Sequence, residues 1–245
     1  MRRVVSRPNA AERVGVDIVT QAALGAVLAQ TAAPPRETRI AALVGAAAAM
    51  LADADTLIGS ADDPLLVLEY HRHFSHALAF APVGALIAAL LLWPLLRRRL
   101  RAARLYAYAL LGYVTAGALD ACTSYGTHLW WPFADTRVAW SIVAVVDPLF
   151  TLVLLGGLAV GLWHRRARPA RAALALAGAY LLLGVVQQGR ATAAARADIT
   201  TRGASAERLI VKPTMGNLVL WRAVWVADGR GGATDRRPGR RAGTG

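Results

Sequence analysis

Between Ala77 and Leu96 the chain runs for twenty residues without a charged side chain. As a helix that run is about 30 Å long, the thickness of a bilayer's hydrocarbon core. Water does not reach backbone N–H and C=O groups at that depth, so a spanning segment must satisfy them within its own helix. Three more apolar runs follow. Leu105 to Leu119 continues, mostly apolar, to Phe133; Val138 to Trp163 is broken at Asp147-Pro148; Ala172 to Val186 is rich in Ala and Leu. Trp93, Trp130, Trp131, Trp140 and Trp163 fall near the ends of these runs, where an indole bridges hydrocarbon and headgroup.

The charges point to the same class. A net charge of +13 and a pI near 11.3 coexist with a mean hydropathy of +0.40. A soluble nucleic-acid binder rarely combines these, whereas a multi-pass membrane protein with basic loops has both. Arginines concentrate in Arg97-Arg98-Arg99-Leu100-Arg101-Ala102-Ala103-Arg104 and in His164-Arg165-Arg166-Ala167-Arg168-Pro169-Ala170-Arg171. By the positive-inside rule both loops face the cytoplasm. They read as topology signals, and no nucleic-acid partner is expected. The segment before Ala77, residues 120–137 and everything after about Gln187 then share the opposite face. Arg2, Arg3, Arg7 and Arg13 run against this orientation.

Upstream, Asp17 to Gln30 and Thr38 to Leu51 are shorter helical segments separated by Ala33-Pro34-Pro35-Arg36. The expected architecture is an all-α polytopic bundle embedded in a lipid bilayer, with about four full spans and a short N-terminal helical hairpin. Residues 1–15 form an N-terminal extension, 16–190 the membrane domain and 191–228 a short extramembrane segment, β-prone from Leu209 to Val226. Residues 229–245 are Gly/Arg-rich with almost no apolar side chain, which predicts disorder. The single Cys122 allows no intramolecular disulfide.

Three of the five histidines occur within His71-Arg72-His73-Phe74-Ser75-His76. Asp53-Ala54-Asp55 ends the hairpin, His76 opens the first span and Asp120 closes the second. The topology therefore gathers these groups at the non-cytoplasmic end. Carboxylates and imidazoles there form a candidate site for Zn²⁺ or a similar divalent ion, with Asp53, Asp55, His71, His76 and Asp120 as ligands. Mixed ligands of this kind leave positions open for a water that becomes a nucleophile near neutral pH. Asp55 and His73 are candidates for proton transfer, and Arg72 for neutralising a phosphate or carboxylate. The competing reading is a set of interfacial polar residues at helix ends. Asp147 divides similarly, between a functional acid within an apolar run and an Asp-Pro helix start. The spacing matches no standard zinc motif.

These residues resemble a known family. Asp53-Ala54-Asp55, His71 to His76, Leu119-Asp120-Ala121-Cys122-Thr123-Ser124-Tyr125-Gly126-Thr127 and Trp131-Pro132-Phe133 are similar to motifs of bacterial inner-membrane-associated metal-dependent hydrolases, described as LexA-binding and YdjM-like. Asp17 to Gln21 with Leu24-Gly25-Ala26 resembles the family's opening. Asp147-Pro148-Leu149-Phe150, Lys212-Pro213-Thr214, Asn217 and Trp221-Arg222 fit its longer members. The resemblance implies a multi-pass inner-membrane protein with metal-dependent hydrolase activity. A distant relation to all-α zinc phospholipases and nucleases implies a phospholipid or other phosphoester substrate. Three positions depart from the pattern. Ala52 replaces Pro, Gln30 replaces Glu, and Ala116 replaces a His that would share a helical face with Asp120. His128 is a candidate replacement for that ligand. The alternative function is a non-catalytic membrane scaffold or regulator on the same fold. A transporter is disfavoured, because the polar groups cluster at one end.

Overall fold

Proline and aspartate set where the apolar runs turn helical. The computed structural model describes residues 10–57, 71–201, 205–214, 216, 218–227 and 230–236. Most of the N-terminal extension, Asn217 and the end of the tail lie outside the described residues. Six α-helices are present among the described residues: α1 (Ala10–Thr31), α2 (Thr38–Leu51), α3 (Ala81–Leu96), α4 (Ala102–Cys122), α5 (Pro148–His164) and α6 (Ala167–Thr201). Short 3-10 turns occupy Ala52–Leu57 and Phe74–His76.

Several boundaries differ from the sequence expectation. Helix α1 begins at Ala10, inside the expected extension. The first long run turns helical only at Ala81, because Pro82 suits a first turn, where its missing N–H is not needed. Val138 to Val146 is not helical. Its backbone instead donates to the end of α4, from Trp140 to Ala121 and from Ile142 to Cys122. Helix α5 starts only at Pro148, after the Asp147 N-cap.

Among the described residues, three helices are long and apolar enough to cross a membrane: Thr38–Leu57, Ala102–Cys122 and Ala167–Thr201. The first corrects the expectation that this segment is too short, since the 3-10 turn extends α2. Helices α3 and α5 are apolar but shorter, at 16 and 17 residues. Large side chains on the outside, such as Leu90, Leu91 and Leu95 of α3 and Leu182, Leu183 and Val186 of α6, are exposed. An apolar belt on that scale is expected against lipid.

The α1–α2 hairpin is central. It packs on α4, while α1 also touches α5 and α6. Lipid tails are as apolar as Leu, so association rests on close packing, which small residues permit. Gly25, Gly45 and Gly112 meet where α1, α2 and α4 cross; a Cβ on any one would collide with a neighbouring backbone carbonyl. Ala41, Ala48 and Ala109 fill the surrounding core.

At one end, Glu37 of the hairpin turn pairs with Arg104 and accepts a 2.8 Å hydrogen bond from the Tyr108 hydroxyl. Arg171 donates to the Thr31 carbonyl there, at 2.9 Å. The hairpin turn thus lies beside both arginine loops.

The chain is not wholly helical. Strands β1 (Arg208–Pro213), β2 (Trp221–Ala227) and β3 (Arg230–Arg236) form an antiparallel sheet in the order β1-β2-β3. Its Val211, Trp221 and Ala223 bury against Ala191 and Ala195 of α6. Strand β3 corrects the expectation of disorder from residue 229. A ladder is built from backbone groups, and the open edge of β2 pairs even with an apolar-poor strand.

The glycine crossing yields a first test. Gly45→Leu sets a side chain against the Gly25 carbonyl and should cost about 3 kcal/mol or more, as severe overpacking does. The variant is expected to lose its monodisperse peak in detergent size-exclusion chromatography. Gly156→Leu, where an added Cβ meets nothing within 4 Å, should elute as wild type. Equal behaviour of the two variants would contradict the packing account.

Candidate metal centre

Asp55 organises the loop that follows it. It is buried in the 3-10 turn after α2, and both of its oxygens are engaged. Oδ1 lies 3.0 Å from His71 Nδ1. Oδ2 accepts from the Arg72 backbone N–H at 2.8 Å and from the Ser75 hydroxyl. Ser75 Oγ is in turn 3.0 Å from His76 Nδ1. Arg72 has a φ of 61°, which reverses the chain and separates the histidines on either side of it.

His76 is 2% exposed and lies at the centre. Its Nε2 is 3.3 Å from Asp53 Oδ1 and 3.2 Å from Asp120 Oδ2. Asp120 ends α4 fully buried. Its Oδ2 also lies 3.1 Å from Arg72 Nε, and its Oδ1 accepts from Gln21 Nε2 at 3.3 Å. Gly117, one helical turn before the end of α4, lets the His76 carbonyl approach where a Cβ would collide. The Arg72 guanidinium covers the Tyr125 ring at 4.8 Å, with Arg137 over the same ring at 4.9 Å.

Charge decides what this cluster can accept. Among the described residues, Asp53, Asp55 and Asp120 gather around the Arg72 guanidinium and the His71 and His76 imidazoles. Buried charge is costly without a counter-charge. Burial by itself would lower the His76 pKa. Hydrogen bonding to Asp53 and Asp55 and the charge of Asp120 outweigh it and push the pKa up to about 9. A buried imidazole nitrogen flanked by two carboxylates presents the oxygen and nitrogen donors that a divalent ion takes.

Asp53, Asp55, His71, Arg72, His76 and Asp120 are therefore neighbours, as the sequence expectation placed them. His73 is not among them. The turn at Arg72 carries it to His128 and Asp135, and those three residues have donor atoms within 4.8 Å of one another. His128 accordingly does not stand in for the imidazole absent at Ala116, which is fully buried on α4. Asp147 serves the fold: Oδ1 accepts from the Phe150 N–H at 3.1 Å and Oδ2 from the Tyr180 hydroxyl at 2.7 Å. Gln21 and Tyr125 lie in the motifs that carry the family resemblance, but sequence reading assigns neither a role at the site.

A cavity of about 930 Å³ opens beside the cluster. Asp53, His71, Arg72 and Tyr125 line one part, and Ile18, Met50, Leu57, Val145 and Val146 give it apolar walls. Lys212 of β1 and Arg222 of β2 line it too. They are directly opposed across the ladder.

The raised His76 pKa has a signed consequence in metal-free protein. Its folded value of about 9 exceeds the ordinary 6.5, so the stabilisation is complete below about pH 6.5 and is lost as pH rises through about 9. The loss is on the order of 3 kcal/mol. The thermal midpoint of chelator-treated protein should fall across that window, and His76→Gln should flatten the fall. The same slope in the variant would contradict the assignment.

The family model described as the YdjM inner membrane protein matches residues 16–191. No curated protein and no solved structure matches the chain. The matched region includes every acid and imidazole of the cluster and ends before the sheet. With three helices long and apolar enough to span, this is a membrane protein. The chain belongs to the YdjM inner membrane protein family.

Proposed function

We propose that this protein is a metal-dependent hydrolase of the bacterial inner membrane, acting on a phosphoester in an anionic amphiphile such as a phospholipid. The observation that carries this reading is the buried His76 Nε2, held between the Asp53 and Asp120 carboxylate oxygens at 3.3 and 3.2 Å. Those three residues would hold the ion, with zinc as its expected identity. When bound, the ion supplies an acidified water, a nucleophile near neutral pH. His71, with Nδ1 held by Asp55, is oriented to exchange a proton through Nε2, a role the sequence had divided between Asp55 and His73. Arg72, Lys212 and Arg222 would hold the phosphate, and the apolar walls of the cavity would hold the acyl chains.

In the membrane, α3 to α6 would form four spans, and α2, which runs from the arginine end to the Asp53 end, would cross beside them. The arginine loops would face the cytoplasm, and the cavity with its sheet the opposite side. Helix α6 has 35 residues, about 52 Å, so it overhangs the bilayer and carries the sheet beyond it.

A second reading has its own support. Arg72 already contacts the Asp120 oxygen that faces His76, and Ala116 stands where the resemblance expects His. In that case the cluster is an ion-pair network, and the protein a non-catalytic scaffold or regulator.

Turnover separates the two readings. Zinc-reloaded protein should hydrolyse a p-nitrophenyl phosphodiester in phosphatidylglycerol micelles. His71→Gln should lower kcat by about 10²- to 10⁴-fold, the usual range for a lost proton-transfer group. Lys212→Met should mainly raise KM. Wild-type turnover no greater than that of Asp120→Asn would leave the scaffold reading. Orientation is tested with Ser124→Cys in a Cys122→Ser background. Labelling of intact cells by a membrane-impermeant maleimide is expected, and labelling only after cytoplasmic access would reverse the topology.

A further inference from the structure

His73 and His128 converge on one carboxylate oxygen, away from the cavity. Asp135 Oδ1 lies 3.1 Å from His128 Nδ1 and 3.6 Å from His73 Nε2. The two imidazole rings are 4.5 Å apart, centroid to centroid. All three donors lie within 4.8 Å of one another. Zinc bonds of about 2.0–2.1 Å at tetrahedral angles place neighbouring donors roughly 3.3–3.4 Å apart, between the two distances seen here.

The surroundings suit a metal better than a plain ion pair. The Asp135 side chain is 81% exposed, so pairing with it contributes little in water. Neither imidazole is free to wander. His128 is fixed through its backbone N–H, which donates to the Arg72 carbonyl, and its own carbonyl accepts from Trp131. The Arg72 carbonyl also accepts from the Thr127 hydroxyl at 2.8 Å. The edge of Trp131 packs on the His73 ring at 5.9 Å. Two imidazoles held on rigid backbone and one mobile carboxylate make three ligands, with water free to complete the shell.

We infer that His73, His128 and Asp135 form a second divalent-metal site of the zinc class, distinct from the cavity cluster. The ion would clip the 71–76 loop to the 127–135 loop. Arg72 lies on the first of these, so the clip would hold its guanidinium against Asp120 and Tyr125. This site does not depend on the hydrolase reading.

The test is zinc stoichiometry in untagged full-length protein, stripped with chelator, equilibrated with zinc in detergent and measured by elemental analysis. His128→Ala and Asp135→Ala change partly exposed groups and should leave the chromatographic profile unchanged. Each should remove one equivalent of zinc relative to wild type, while His76→Gln should not remove that equivalent. If the cavity cluster binds nothing, wild type should hold one zinc that His128→Ala abolishes. The inference then stands while the hydrolase reading falls. Zinc content unchanged in both His128→Ala and Asp135→Ala, or no zinc in wild type, would overturn it.

Discussion

Three carboxylates gathered around one imidazole and one guanidinium, largely out of water, are the constraint on which the rest of this structure depends. Asp55 and Asp120 are buried, and Asp53 opens onto the cavity. A bundle end with such a charge balance is unfavourable unless every donor is positioned. Asp55 fixes the histidine loop, Gln21 reaches across from α1, and Arg72 folds back onto Asp120. That arrangement exists only because α1, α2 and α4 lie nearly backbone to backbone at Gly25, Gly45 and Gly112. The glycine crossing and the charged cluster are thus one design, packing at mid-bundle and chemistry at its end.

The two ends of the helices are chemically opposite. One carries the arginine loops with Glu37, Arg104 and Arg171 around the hairpin turn. The other carries the acids, the imidazoles and the cavity. In the proposed orientation the basic end would face the cytoplasm, and the acidic end would meet an amphiphile or ion on the opposite side. The small sheet adds to that end. It brings Lys212 and Arg222 to the cavity, although it lies beyond the residues that the family model matches.

Much of this was legible in the sequence, for physical reasons. Hydrophobic length reveals apolar membrane helices, arginine clustering marks one end of the bundle, and helix-end positions of Asp53, His76 and Asp120 reveal a shared face. Other features were hidden because they depend on tertiary contact. Gln21 looks like any polar residue near a helix start until α4 brings Asp120 beside it. Val138 to Val146 is apolar enough for a span, yet its backbone bonds to the end of α4 instead. The positive φ of Arg72 sends His73 to a different set of partners, which no spacing rule conveys. Strand β3 is invisible in composition because its partner is the edge of β2, not an apolar core.

The central claim is that the Asp53–His76–Asp120 cluster holds a divalent ion. X-ray absorption at the zinc edge tests it most directly, on reloaded His128→Ala protein, in which only the cavity cluster remains. The expected spectrum shows a nitrogen and oxygen shell at about 2.0–2.1 Å with outer scattering from imidazole. Protein that retains no zinc, or zinc surrounded by water oxygens without imidazole scattering, would contradict it.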